Sequence, residues 1–584
     1  MKTKLFVYSI TSLLLFGGCR PDLLDTTPYD KISAGNMWTT ENLADLGVKG
    51  VYSILRTKVG QGFFEQGNFG GDTQFRESQS ITRGTINFGD GIFSDGWKVG
   101  FEGVHRANTA IYNLENVTPL SEEKKGRLIA ECKFLRARSY YFLNQVFRGV
   151  PLYLEPIEIS ECTRPRETEE RIWQAILEDL TACISEPNLP NRYNASDPEY
   201  GRITKGAAYA LRGKTYLWMR DYVKAEADFR AVGSLGYALF QGSYKDLFIE
   251  QNEQSPEMIF SVQNVADIGW GIPIQLRYGS RCSFGGCWNT YVPAPDFVDS
   301  YECKDGTPFN WDNFLPGYNS MTPKQRKVFF LRDHLTDAEK EKMASEGADM
   351  SKYLDEGNES RIRRCYEERD PRLMASIITP YSTYLGAQSS TEYTYTLRWP
   401  YRGSDTAEPF DLRSDTPTKF YYLYRKFVSE GAKGDIINRD NSPIDFPLIR
   451  YADVLLNLAE AINEQGFSEE AVSLVNQVRK RAGVALLQTT DASKPTFVSG
   501  QDNLRERIRN ERRWEFNGEA INYYDEIRWG TWKDSKFFPG SGDKQIWGEV
   551  DSEYVWYDYL NCWPIPKTER EKNPALKQNP GWIE

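Results

Sequence analysis

Trp97, Trp270, Trp288, Tyr291, Trp311, Tyr395 and Trp399 are the residues of this sequence whose type and setting best suit binding chemistry. Trp97 opens a predicted helix after a Gly- and Asp-rich loop, and the others stand among Gly, Pro, Asn and Asp. An earlier loop adds Asp72, Phe75 and Arg76. A flat ring can cover the apolar face of a ligand while a carboxylate or guanidinium holds its polar groups, and no nucleophile is needed. A stacked ring that removes about 80 Å² of apolar surface from water contributes roughly 2 kcal/mol gross. Two or three such rings, less an association cost of at least about 4 kcal/mol, leave weak, near-millimolar binding. Packing competes with ligand contact for each ring, and at least two of the set are expected to touch a ligand. Trp218, Trp514, Trp529 and Trp563 are expected to pack instead.

Catalysis finds little support. The chain has only two histidines, His105 and His334, which disfavours a histidine metal site or a histidine-activated nucleophile. Arg450, Asp453, Glu460, Arg479, Arg481, Glu511, Arg512 and Asp525 fall in helical stripes, the pattern of structural ion pairs and solvated faces. No local pattern sets two carboxylates across a cleft as a glycosidase requires. The glycine-rich run Gly60–Gly71 lacks the Gly-Lys-Ser/Thr of a phosphate loop. Asp435–Asn441 offers oxygen ligands for a structural calcium ion without EF-hand spacing, and no cofactor is otherwise implied. A net charge of −11 argues against a nucleic-acid scaffold, which needs a basic stripe.

The elements that must position the aromatic loops are helical hairpins. From Leu448 to Gly466 apolar residues recur at Leu448, Tyr451/Ala452, Leu455, Leu458/Ala459 and Ile462, one amphipathic helix. Gly466 suits a left-handed cap, Ser468 an N-cap, and Ala471, Leu474/Val475, Val478 and Ala482 continue a second helix. In 204–236, Gly213, Tyr216, Ala225 and Phe229 keep tetratricopeptide spacing. Helices at 121–148 with 169–184, and at 42–57 with 97–116, complete about four pairs. The expected fold is thus mainly α, a tetratricopeptide-like scaffold with a loop-rich insertion half. Helical repeats span 41–236, a loop-rich ligand-binding region 237–445, and a C-terminal region with the last repeat 446–584. Phe63–Gly91 reads as an exposed aromatic loop, and Pro564–Pro580 as proline-rich coil.

Lys2 and Lys4 precede the apolar run Leu5–Phe16 and then Gly17-Gly18-Cys19, giving a signal peptide over 1–18. Two small residues before cysteine look like a bacterial lipoprotein box, with Cys19 acylated at the head of a tether over 19–40; Phe16 stands where Leu is usual. An ordinary signal peptide with an incidental cysteine is the alternative. Eight of the nine cysteines remain after Cys19, and Cys282 and Cys287 could form a local disulfide or stay as buried thiols.

These parts together resemble the SusD/RagB family of outer-membrane nutrient-uptake lipoproteins. The residues that carry the resemblance begin with Leu24-Asp25 to Pro28, Gly50-Val51-Tyr52, Leu135-Arg136-Ala137 with Tyr140-Tyr141, and Gly201 to Ala208. They continue through Ile449 to Leu456, Ala459-Glu460-Ala461, Asn476 with Arg479 to Gly483, and Glu511-Arg512-Arg513 to Glu515. Asp525 with Arg528-Trp529-Gly530, Pro564-Ile565-Pro566 and Gln578 to Gly581 close the series. Between about 281 and 445 only Arg369 to Arg372 matches. The resemblance implies a non-enzymatic, cell-surface oligosaccharide-binding lipoprotein, lipid-anchored in the outer membrane and partnered with a TonB-dependent transporter, a SusC-like barrel, in a polysaccharide-utilisation system. Some members handle peptides, so a peptide-binding uptake subunit is the second expectation and a surface glycosidase a distant third.

Overall fold

The structure is a computed structural model that describes residues 37–57, 64–432 and 438–582. The signal peptide, Cys19 and most of the tether, Phe63 and Asp435 lie outside the described residues.

Ten helices carry the scaffold: α1 Glu41–Tyr52, α2 Gly91–Asn116, α3 Glu122–Phe147, α4 Glu169–Ser185, α5 Lys205–Trp218, α6 Tyr222–Gly233, α7 Tyr451–Gln465, α8 Glu469–Ala482, α9 Gln501–Glu515 and α10 Asn522–Trp529. Local chemistry sets their ends. Thr40, Ser121, Thr168, Thr204, Asp221 and Ser468 each accept a first-turn backbone N–H, and Gly483 closes α8 in the left-handed region at φ 75°. Each helix then packs on the next, α1 on α2 through α5 on α6; α7 docks on α6 and brings α8 and α9 with it. The chain therefore leaves the stack after α6 and rejoins it at α7. Gly213 permits a close approach of α5 and α6, since a Cβ there would lie 2.7 Å from the Phe229 ring.

The insertion half is anchored by short antiparallel pairs. Strand β1 (Thr73–Phe75) pairs with β3 (Tyr291–Pro293), β2 (Met258–Val262) with β6 (Phe446–Arg450), and β4 (Thr383–Gln388) with β5 (Thr391–Thr396). Three expectations change here. Leu448–Arg450 is strand, and the helix starts only at Tyr451, because β2 and Pro447 decide a spacing that fits either element. The segment before Gly91 is no exposed aromatic loop: Phe75 is buried on β1, which pairs with β3, and Phe69 is buried against Phe75 and Tyr523. The C-terminal coil also contains a short helix, Lys567–Lys572.

The polar stripes are paired as expected but buried rather than solvated. The Arg450 guanidinium meets Glu257 at 2.6 Å and both Glu515 and Glu519 at 2.7 Å; Arg479 reaches Glu511 at 2.9 Å and also pairs with Glu302. Arg512 joins Asp453 and Asp525 at 2.8 and 2.7 Å. Burial alone would raise the Glu515 carboxyl, but Arg481, Arg450 and Arg372 hold it far below the usual carboxylate range.

Candidate functional site

Two of the aromatic candidates are open to solvent, and they share one edge of the insertion half. Trp270 ends a tight turn in which Val265 N–H donates to the Trp270 carbonyl and Trp270 N–H to the Asp267 carbonyl, both at 2.9 Å. The turn exposes Val265, Ile268 and Trp270 by 57, 73 and 54%. The Arg56 guanidinium stands 4.9 Å from the Trp270 ring centre and donates to the Gln263 carbonyl. Trp288 is 39% exposed, with the Arg439 guanidinium 5.3 Å from its ring centre.

Segment 438–442 ties the two rings together. Its Asn441 Oδ1 accepts from Gly269 N–H at 3.0 Å, Ser442 exchanges backbone hydrogen bonds with Ile272, and the Arg439 carbonyl accepts from Leu276, whose own carbonyl accepts from Trp288 N–H at 2.9 Å. Beside this edge runs a groove of about 240 Å³ lined by Lys245, Ile249, Arg425, Ser429, Ser442 and Ile444. Apolar rings, a groove of mixed polar and apolar lining and a hydrogen-bonded rim form a surface suited to a flat, hydroxylated ligand.

The other candidates are placed differently, and burial or pairing removes them from this surface. Trp97 packs on Phe101 and Phe147, and Tyr291 lies edge-on to Phe75 and Tyr278. Trp311 stacks on Tyr318 while its Nε1 donates to Asp299 at 2.8 Å. Tyr395 is buried with its hydroxyl on the Asp405 carbonyl, and Trp399 lies among Tyr401, Phe420 and Trp547. Asp72 is buried and accepts from Asn517 at 3.1 Å; Arg76 is paired with Asp415 at 2.9 Å. Val265, Ile268, Arg56, Arg439 and the groove were missed by sequence reasoning. The one usable signal was a valine and an isoleucine set within an Asp/Gly turn.

Cys282 and Cys287 are free, buried thiols, each pushed up to about 12 by burial. In the proposed calcium loop the Asn438 and Asn441 side-chain oxygens accept N–H groups, and no metal-binding cluster of acidic, His or Cys side chains occurs among the described residues.

The Trp270 turn stands on a buried carboxyl. Asp445 Oδ1 accepts from Asn264 N–H at 2.7 Å, and Asp445 N–H donates to Glu253 Oε1 at 2.6 Å; Arg56, Glu250 and Tyr200 face the pair. Burial pushes Asp445 up to about 7, and burial with the neighbouring Asp445 raises Glu253. A carboxyl raised in the folded state gives stability that is complete below its unfolded pKa of about 4 and is lost as pH rises through about 7. For this nearly enclosed group the loss is about 2–4 kcal/mol. Denaturant midpoints at pH 5 and pH 8 should therefore fall more steeply with pH in the wild type than in Asp445→Asn, and equal slopes would refute this.

A family model described as the SusD family matches residues 256–582, more than half of the chain. The chain belongs to the SusD family. A second family model, described as starch-binding and associating with the outer membrane, matches residues 29–217 of this SusD-family chain. The SusD-like protein P25 of Formosa agariphila is 24% identical, covering 96% of this chain and 95% of its own length. The starch-binding protein SusD of Bacteroides thetaiotaomicron is 23% identical over 80% of this chain and 75% of its own. Among solved structures, a SusD-like protein from Bacteroides fragilis superposes with a TM-score of 0.73 at 23% identity, over 95% of this chain and all of that one. A laminarin binding SusD-like protein gives 0.62 at 21% identity, over 93% and 100%. The mainly helical, tetratricopeptide-like architecture is that of this SusD-family fold.

Proposed function

We propose that this protein is a non-catalytic subunit that captures oligosaccharides outside the cell, held in the outer membrane through acylated Cys19, and passes them to a TonB-dependent transporter. The observation that carries the reading is the pair of exposed indoles, Trp270 and Trp288, each held against an arginine on a hydrogen-bonded edge beside a groove. Relatives named for binding starch and laminarin support a sugar as the ligand. The carboxyl beneath the Trp270 turn, Asp445, is only 8% exposed and is used to hold that turn.

Calorimetry on the purified mature protein against oligosaccharide and peptide panels tests this. Trp270→Ala and Trp288→Ala should each weaken binding about tenfold or more, since each ring contributes roughly 2 kcal/mol. The double variant should show no measurable binding. Wild-type affinity in both variants would put the site elsewhere, turnover of the sugar would refute the non-catalytic role, and binding of peptides alone would replace the ligand class.

A further inference from the structure

The two tryptophan platforms differ in what their arginines can still donate. At Trp270, Arg56 Nη1 is taken by the Gln263 carbonyl, while Nε and Nη2 are sealed from solvent and the charge faces Asp445. At Trp288, Arg439 Nη1 is held by the Gly285 carbonyl at 3.3 Å and by that of Gly286. Its Nε and Nη2 bond to nothing among the described residues, are not sealed from solvent, and have no carboxylate at ion-pair distance there. A second guanidinium converges on the same loop, because a methyl on Gly286 would lie 3.9 Å from Arg281 Nη1. Arg281 is well exposed, and its one carboxylate among the described residues, Asp415 at 3.5 Å, is shared with Arg76 at 2.9 Å. The exposed Asp440 is the opposing charge on the rim.

We propose that the Trp288 platform is a subsite for an anionic sugar, a uronate or a sulfate ester, held by Arg439 with Arg281 beside it. A guanidinium fixed through one nitrogen offers the other two N–H groups as a planar fork that matches the paired oxygens of a carboxylate or sulfate, and the adjacent indole face takes the sugar ring. Trp270, whose arginine has no accessible donor left, would take a neutral residue of the same chain. Selectivity would then come from a local pair of cations on a protein of net charge −11.

This inference rests on the glycan-binding reading, and the test separates the two. Calorimetry would compare a neutral β-glucan oligosaccharide, an oligogalacturonate and a sulfated galactan oligosaccharide at two salt concentrations. Wild type should bind one acidic probe at least tenfold more tightly than the neutral one, with salt weakening that binding. Arg439→Gln should abolish the preference, so that its acidic and neutral probes bind alike, and Arg281→Gln should reduce the preference in part. Unchanged acidic binding in both variants, or no acidic preference in a wild type whose neutral binding depends on Trp270, overturns the anionic subsite alone. Failure of all three probes overturns the glycan reading beneath it. An acidic peptide that competes where no sugar binds would likewise replace the ligand class. The acidic probe that binds distinguishes uronate from sulfate.

Discussion

Arg450→Met is expected to destabilise the protein by about 3–5 kcal/mol, enough to shift the urea midpoint strongly or to prevent folding at growth temperature. The side chain is almost wholly buried and has four anchors: the carboxylates of Glu257, Glu515 and Glu519, and the Glu515 backbone carbonyl at 2.9 Å. Methionine fills similar space, so the loss is electrostatic rather than steric. Three buried carboxylates lose a shared counter-charge and are left to Arg481, Arg372 and Lys426, and an under-compensated buried anion is far more costly than a missing surface pair. Arg230→Met is the control, because its pairing with Glu470 lies on the surface and should contribute less than about 1 kcal/mol. The deficit should also shrink toward acid pH, where Glu515, which Arg450 helps to hold far below the usual carboxylate range, accepts its proton. A cost for Arg450→Met no larger than for Arg230→Met would refute the bridging role. Glu257 precedes β2, Arg450 ends β6, Glu515 ends α9 and Glu519 follows it, so this cluster fastens the insertion half to the helical stack.

Helices were legible because their information is local. Apolar spacing at Leu455, Leu458 and Ile462 and caps such as Thr204 and Ser468 act within a few residues, and the hairpins stand where that spacing puts them. Arg450, Arg479 and Arg512 were legible as paired but not as buried, since a polar stripe shows which face is charged and not what covers it. The strands escaped for a related reason: Thr73–Phe75 and Phe446–Arg450 are fixed by partners far along the chain. Exposure of an aromatic ring is likewise a tertiary property, so Trp270 and Trp288 look no different in sequence from Trp311 and Trp399. Trp97 was the exception that could have been read. Phe93, Trp97 and Phe101 recur every fourth residue with Gly96, Gly100 and Val104 between and after them, a core stripe of α2.

Trp97→Ala, accordingly, is expected to act on stability and not on ligand recognition. The indole is 5% exposed and sits between Phe101 and Phe147, with ring centres 4.8 and 5.1 Å away. Close approach of α2 and α3 leaves little room for collapse around a vacated site, because a Cβ at nearby Gly100 would already lie 2.6 Å from the Leu143 side chain. A large aromatic removed from such a place costs about 3–5 kcal/mol, transfer and cavity terms together. Thermal and urea unfolding would measure that loss. Calorimetry well below the transition would then separate the two roles, since the folded fraction should bind glycan within about twofold of wild type while Trp270→Ala loses affinity without losing stability. The opposite pattern, a stable Trp97→Ala that no longer binds, would return Trp97 to the ligand and require α2 and α3 to open there.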